Sequence, residues 1–208
     1  MEATNVLEPQ VLLLFANHSA YGFNNFFPSI LKGFKLGNRT TTMALTAPPY
    51  VIGTAVSIAV AWSSDRLSER GYHISVPMFV AAIGFAISVS TLNIPARYLA
   101  SFLYTSGCFS ANSMVHSWFA TVLNQTPEKR ACVVAIINMM SQLGNVASPY
   151  FFPNSDEPRY VMAMCLMMGF SMISIASAVS IKAVLKKANK ELLREGNRAG
   201  ERPVLYPL

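Results

Sequence analysis

The sequence predicts an all-α membrane protein with six transmembrane helices, and three observations lead to this fold class. Only 12% of the 208 residues are charged and 52% are hydrophobic, whereas an ordinary soluble domain carries about 25% charged residues. The 16 Lys and Arg and the 10 Asp and Glu residues are all absent from six apolar stretches. Each stretch is long enough, as a helix, to cross a hydrocarbon core of about 30 Å. The six predicted spans are Val11–Leu31, Met43–Trp62, Ile74–Leu92, Tyr98–Trp118, Ala131–Phe152 and Tyr160–Ile181.

The remaining charges assign both ends of the chain to one side of the membrane. Six spans place residues 1–10, a short polar lead, on the same side as residues 182–208, which hold seven of the 16 basic residues. By the positive-inside rule, both termini are predicted to be cytoplasmic. The net charge of +6 therefore indicates a basic juxtamembrane tail and no nucleic-acid partner. This tail either lies against anionic lipid of the bilayer or extends as a solvated helix.

The first span is polar in its second half, which predicts contact with protein or with a water-filled cavity. Asn17, Tyr21 and Asn25 follow helical spacing closely enough to share one face. His18 lies about 100° from Asn17 around the helix and flanks that face. In the loop that follows, Asn38 begins an Asn-Arg-Thr triplet, which fits the acceptor pattern for N-glycosylation.

The second span contains Pro48 and Pro49, whose missing backbone donors predict a bend, either static or used as a flexing point. A short, densely charged segment, Ala61–His73, separates this span from the third. Because a membrane-crossing run flanks the segment on each side, it is predicted to form a tight turn at the membrane surface.

The fourth and fifth spans carry polar side chains on helical faces. Asn112 and His116 are four residues apart and therefore lie on one face of the fourth helix. Asn138, Gln142 and Asn145 form a similar stripe on the fifth, which either bonds helices together or lines a solute path. The sixth span is rich in methionine and is predicted to be a peripheral, lipid-facing helix.

The cysteines and the known catalytic motifs give no sign of a metal site or an enzyme. Cys108, Cys132 and Cys165 fall in or at the ends of spans without metal-ligand spacing, which is typical of buried free thiols. The chain has no His-Glu-x-x-His, no pair of Asp residues within a span and no Gly-x-Ser-x-Gly. No metal, no cofactor and no enzymatic activity are therefore predicted.

Seven short motifs recur in order along the chain: Asn24–Phe34, Leu45–Tyr50, Trp62–Arg66, Asn124–Arg130, Gln142–Asn145, Ser148–Tyr150 and Pro158–Tyr160. Together they resemble the carboxyl-terminal half of fungal anion:cation symporters, a branch of the major facilitator superfamily that includes allantoate and nicotinate permeases. The resemblance extends from about residue 10 to residue 190. It implies one half of a 6+6 fold, with the amino-terminal half missing or supplied separately. Ala61 departs from the loop pattern of the superfamily, which favours glycine there.

The resemblance also implies roles for particular residues. Asp65, Arg66 and Arg70 would form a cytoplasmic gate that holds neighbouring helices together in one state of alternating access. The first, second, fourth and fifth spans would line the cavity, and three of them carry the polar faces described above. The residues expected along the substrate path are Asn17, Tyr21, Asn25, Asn112, His116, Asn138, Gln142 and Asn145.

The function expected from this resemblance is proton-coupled transport of a small organic anion, such as nicotinate, allantoate or a vitamin, across the plasma membrane. Amide and hydroxyl groups would hold its carboxylate. No Asp or Glu lies within a span, so His18 and His116 are the candidates for proton coupling in this half. The alternative is a truncated, non-transporting membrane protein that acts as a structural or regulatory subunit.

Overall fold

The computed structural model describes residues 23–33, 39–122 and 160–199, together with the single helical positions 131, 135 and 139. Within these ranges every regular element is a helix, and five are labelled here in chain order. They are α1 (Phe23–Lys32), α2 (Arg39–Leu67), α3 (Gly71–Ser90), α4 (Ile94–Val122) and α5 (Val161–Ala199). The lead at residues 1–10, Asn38 of the glycosylation triplet and nearly all of the predicted fifth span lie outside the described residues.

Three of the described helices are long and apolar enough to cross a membrane, judged by length and composition. They are Thr40–Leu67 within α2, Gly71–Ser90 and Val161–Arg194 within α5. The helix α4 has the same length as α2, 29 residues, but its serines, Asn112 and His116 lower its mean hydropathy. Three of the six predicted spans therefore correspond to helices that could cross a membrane, and the other three spans stay predictions.

The helices α2 and α5 both continue beyond the spans that the sequence predicted. The helix α2 runs through Pro48 and Pro49 and includes Asp65 and Arg66 in its last turns. The helix α5 passes from its uncharged part into the basic segment and ends at Ala199, so this part of the predicted tail is helical. A charged residue marks where a helix can meet water, and it does not mark where the helix ends.

The packing order of the described helices is α5, α3, α4, α2 and α1. The helix α3 lies between α4 and α5 and makes the most extensive contacts with both, and α2 packs mainly against α4. The core between α3 and α4 includes Phe85 and Tyr104, whose rings are stacked with centroids 5.0 Å apart. The helix α1 joins this core through Phe27, which meets the rings of Tyr50 and Tyr104 edge-on.

Two glycines allow α3 and α4 to approach closely at different heights along their contact. A Cβ added at Gly84 would lie 2.9 Å from the backbone nitrogen of Tyr104, and one at Gly107 would overlap the carbonyl oxygen of Pro77. Close approach through small residues is a common means of packing membrane helices, because it increases van der Waals contact between backbones. Any side chain at either glycine would push the two helices apart.

The connection between α2 and α3 is a tight turn, but it is shorter than the charged segment Ala61–His73 for which a turn was predicted. Only Ser68–Arg70 lie between the helices, and the rest of the segment belongs to α2 and α3. The helix α2 ends at Leu67, and Ser68 adopts a left-handed φ of 52°. The backbone N–H of Glu69 then donates to the carbonyl of Ser64 at 3.3 Å, which closes the helix in the manner of a Schellman motif. The hydroxyl of Ser64 donates to the carbonyl of Glu69 at 2.7 Å. The turn is thus closed by one backbone and one side-chain hydrogen bond, both between Ser64 and Glu69.

The helix α5 lies at one edge of the described bundle. One face, which includes Met164, Met167 and Ala178, is buried, and its main contact among the described helices is with α3. The opposite face leaves Met172 and Val179 exposed. Among the described helices α5 is thus peripheral, and its contact with lipid stays a prediction.

Candidate functional site

The turn between α2 and α3 places Arg70 where it can contact two helices. Its Nη2 lies 3.3 Å from Oδ1 of Asp65 on α2, and its Nη1 donates to Oγ of Ser117 on α4. The side chain of Arg70 is only 15% exposed, whereas that of Asp65 is 68% exposed. A largely buried guanidinium group needs polar partners to offset its loss of hydration, and Asp65 and Ser117 supply them. Arg70 therefore ties the end of α2 to α4.

Arg66, the third residue predicted in this cluster, takes a different direction. Its guanidinium carbon lies 4.1 Å from the ring centroid of Trp62, one turn earlier on α2, and both residues are exposed. Asp65 and Arg66 are neighbours in a helix and so point about 100° apart. The structure brings Asp65 and Arg70 together and leaves Arg66 outside the cluster, on a surface where arginine and tryptophan suit a membrane interface.

A second ion pair at this end of the bundle was not anticipated from the sequence. Nζ of Lys182 on α5 donates to Oε2 of Glu69 and lies 3.3 Å from the ring centroid of Tyr72. Lys182 is only 8% exposed. In the sequence, Lys182 stands out only as the first charged residue after the uncharged part of α5. That position bears on the orientation of the chain in the membrane and does not indicate an ion pair.

The contact between α2 and α4 is lined with hydroxyl groups. The Oγ atoms of Ser57 and Ser113 lie 3.1 Å apart, and Ser57 also donates to the carbonyl of Phe109 at 3.5 Å. Asn112 and His116 follow Phe109 at helical spacing, on the side of α4 that faces α2, and both are half-buried. The structure therefore places these two predicted path residues beside one polar interhelical seam.

The other predicted path residues are described in part or not at all. Asn25 belongs to α1, but its side chain is not described. Residues Asn17, His18, Tyr21, Asn138, Gln142 and Asn145 lie outside the described residues.

Several polar atoms that no sequence pattern singled out are buried within the described helices. Among them, Oδ1 of Asn24 on α1 and Oγ1 of Thr105 on α4 have no hydrogen-bond partner there. A buried polar atom without a partner is costly and calls for an explanation, such as a bound solute or water. In the sequence, Thr105 is one of many small residues suited to close helix packing. Its buried hydroxyl without a partner distinguishes it from its neighbours only in the structure.

The described residues contain no group of three or more His, Cys, Asp or Glu side chains that could hold a metal ion. Of the cysteines they include, Cys108 and Cys165 are both free thiols, the first buried and the second exposed. The chemistry of this part of the chain therefore consists of ion pairs, hydroxyl and amide groups, and one imidazole beside the α2–α4 seam.

Comparison with known proteins identifies relatives along most of the chain. Residues 5–149 match the family model described as Major Facilitator Superfamily. The chain is 27% identical to the MFS-type transporter efuF of Hormonema carpetanum over 89% of its own length, and 31% identical to the major facilitator-type transporter hxnP of Emericella nidulans over 73%. It is 26% identical to a quinolone resistance transporter of Acinetobacter baumannii over 77% of its length.

The matched regions are much smaller parts of these relatives. The chain covers 39% of efuF, 32% of hxnP and 38% of the Acinetobacter protein. It therefore spans between about a third and two-fifths of the length of the relatives that it matches.

Proposed function

This chain is a member of the Major Facilitator Superfamily and an integral membrane protein, and we propose that it forms the carboxyl-terminal half of a transporter for a small organic anion. The transporter works by alternating access, in which two six-helix halves rock about a central solute site. The observation that carries this proposal is the joint contact of Arg70 with Asp65 and Ser117. The names of the relatives support transport rather than an enzymatic reaction.

The pair Asp65–Arg70 acts as the cytoplasmic gate. Arg70 binds α2 and α4 at once, so moving these helices apart requires that at least one of its contacts break. A single side chain that joins two helices is suited to stabilise one of two discrete arrangements, which is the requirement for a conformational switch. Arg66 contributes to the membrane interface of α2 and not to this gate.

The seam between α2 and α4 forms part of the solute path. Ser57, Ser113, Asn112 and His116 supply hydroxyl, amide and imidazole groups there, and no Asp or Glu lies in the uncharged spans. Such groups can hold a carboxylate by hydrogen bonds, whereas acidic side chains would repel it. This chemistry supports an anion such as nicotinate, allantoate or a vitamin carboxylate, with proton coupling through His116 or His18.

The exposure of α2 supports the need for a second half. Only 17% of the most apolar 18-residue window of α2 is buried within the chain, against 39% for the corresponding windows of α3 and α5. A helix that lines a path between two halves would show this pattern, because the other half covers its free side.

The experiment is uptake of radiolabelled nicotinate, allantoate and a set of other small carboxylates by cells that express the complete gene product. Asp65→Asn is expected to lower uptake of the transported compound about tenfold or more, since it removes the negative charge that pairs with Arg70. Arg66→Gln serves as the control, because it removes a nearby charge that does not contact Arg70, and it should retain most of the uptake. Equal loss in both variants would contradict the gate, and uptake of neutral solutes only would contradict the anion.

The alternative is a non-transporting membrane protein that acts as a structural or regulatory subunit. The size of the native protein in membranes decides between these functions. A product near the length of the relatives supports transport, and a stable product of about 208 residues that gives no uptake supports the subunit.

A further inference from the structure

The segment 69–72, which leads from the turn into α3, contacts α5 on one side and α2 and α4 on the other. Its residues Glu69, Gly71 and Tyr72 surround Lys182 on α5. We call these three residues together with Lys182 the Lys182 cluster. Arg70, in the middle of the same segment, contacts α2 and α4. One short segment thus joins three different helices.

The contacts in the Lys182 cluster are close and involve every part of the lysine. Its ammonium group is paired with Glu69 and lies over the ring of Tyr72, while its methylene groups pack on Gly71, where an added Cβ would lie 2.8 Å from Cδ of the lysine. The side chain is 11% exposed and that of Glu69 is 34% exposed. A side chain at position 71 would therefore displace the lysine from its place across the start of α3.

A lysine that served only to set the orientation of the helix in the membrane would not need to be buried and paired. A lysine near the end of a membrane helix can extend its ammonium group into the interface, where it is hydrated. Burying the charge instead costs free energy that only a close partner offsets, and removal of that partner leaves an uncompensated charge. The position of Lys182 is thus held by Glu69 and Tyr72 in particular.

We propose that Lys182 is a positioning residue for the gate. By holding Glu69 and Tyr72, it fixes the segment 69–72 against α5, and this places the guanidinium group of Arg70 between Asp65 and Ser117. The inference rests on the proposed function of the Asp65–Arg70 pair and extends the gate to α5. Opening of the gate then requires that the segment 69–72 either carry α5 with it or release Lys182.

The test measures how fast a cysteine beyond the gate reacts from the cytoplasmic side. Ser113→Cys serves as the reporter, because Ser113 is exposed on α4 one turn from Ser117. All cysteines of the complete gene product, among them Cys108, Cys132 and Cys165, are replaced by alanine. A membrane-impermeant maleimide is then added to inside-out vesicles. The rate of labelling reports how often the gate is open.

Loss of either partner of the ion pair should open the gate more often. Glu69→Gln and Lys182→Gln are each expected to raise the labelling rate about fivefold or more. The double variant should be no faster than the faster single variant, because both changes remove one interaction. The charge exchange Glu69→Lys with Lys182→Glu should return the rate to within about twofold of the original. Additive single effects, or no change in either, would overturn the proposal.

Lys186→Gln is the matched control, since Lys186 lies one turn further along α5 and is exposed. It should leave the labelling rate unchanged, and an effect equal to that of Lys182→Gln would mean that the charge of the helix end, and not the cluster, controls access. Thermal unfolding of the same variants separates stability from gating. A lower unfolding temperature with an unchanged labelling rate would make Lys182 a structural residue only and overturn the proposal.

Arg70→Gln in the same background distinguishes the failure of this inference from failure of the gate. If Arg70→Gln raises the labelling rate while the Lys182 and Glu69 variants do not, the gate stands and the positioning role of Lys182 is wrong. If neither Arg70→Gln nor the cluster variants change the rate, the gate itself is wrong, and the inference fails with it.

Discussion

The role of a side chain in this protein depends on which helix it contacts. Arg70 lies in a turn of three residues, yet it contacts Asp65 before the turn and Ser117 almost 50 residues later on α4. Arg66 has the same charge but stacks on Trp62 of its own helix. A difference of four positions in the chain therefore decides whether an arginine joins two helices or remains on the surface of one.

His116 is the residue through which we expect proton coupling in the described part of the chain. Histidine is the side chain whose charge changes between about pH 5 and pH 8, and His116 lies beside the α2–α4 seam, next to the serine that accepts from Arg70. His116→Ala should flatten the dependence of uptake on external pH between about 5.5 and 7.5. The measurement is uptake of the transported carboxylate at a series of pH values.

The control for this prediction is Asn112→Ala, one turn away on the same face and also half-buried. Because an amide does not titrate in this range, this variant should lower uptake while keeping the shape of the pH profile. If His116→Ala keeps the shape as well, His116 has no part in coupling, and His18 or the other half carries it.

At the scale of whole helices, the contact between α3 and α4 depends on two positions without side chains. Gly84 and Gly107 each allow a backbone atom of the facing helix to come closer than any Cβ would permit. Gly107→Ala should therefore destabilise the protein by about 1–3 kcal/mol through overpacking, although alanine favours a helix over glycine by up to about 1 kcal/mol. The unfolding temperature of the detergent-purified complete product checks this.

Gly169 on α5 is the matched control, because an added Cβ there meets nothing within 4 Å. Gly169→Ala should leave the unfolding temperature unchanged or raise it slightly, through helix propensity alone. A similar loss of stability in both variants would show that glycine is needed for some reason other than close packing.

Helices and contacts differed in how far the sequence could predict them. The uncharged runs predicted α2, α3, α4 and α5, because charged side chains are costly within the hydrocarbon core of a membrane. The helices α2 and α5 continue beyond the predicted uncharged spans, through Asp65 and Lys182, because charged residues can continue a helix in water. The composition of a segment predicts that a helix is present, but it does not predict the residue at which the helix ends.

The site was predicted less completely, for reasons of geometry. Asp65 and Arg70 were selected together because a local pattern contains both, and the structure pairs them. Arg66 was included by the same pattern, but its direction on α2 follows from helix geometry that the pattern ignores. Glu69 and Lys182 are separated by 113 positions, and no periodicity within one sequence connects two charges so far apart.

At the scale of the whole molecule, α2 and α5 leave apolar faces uncovered for different reasons. We expect the free face of α2 to meet a second half and that of α5 to meet lipid. Val51 of α2 and Val179 of α5 are both exposed, at 67% and 50%. Val51→Trp should lower uptake roughly tenfold, because a bulky side chain does not fit a close protein interface. Uptake normalised to surface protein is the measurement.

Val179→Trp provides the comparison, since fluid lipid accommodates a larger apolar side chain without strain. It should retain most of the uptake. If both substitutions are tolerated equally, the free face of α2 also contacts lipid, and the proposal of a second half that covers it is wrong.

The continuity of α5 has a mechanical consequence. A helix of 39 residues is a rod of about 58 Å, roughly twice the thickness of the hydrocarbon core. Between Lys182 and Ala199 it extends about 25 Å beyond the buried ion pair, so a tilt of about 10° moves its far end by roughly 4 Å. A small rotation of α5 inside the bilayer therefore produces a larger displacement at its far end. A fluorophore attached near Ala199 would therefore report these rotations by distance, without any knowledge of the solute.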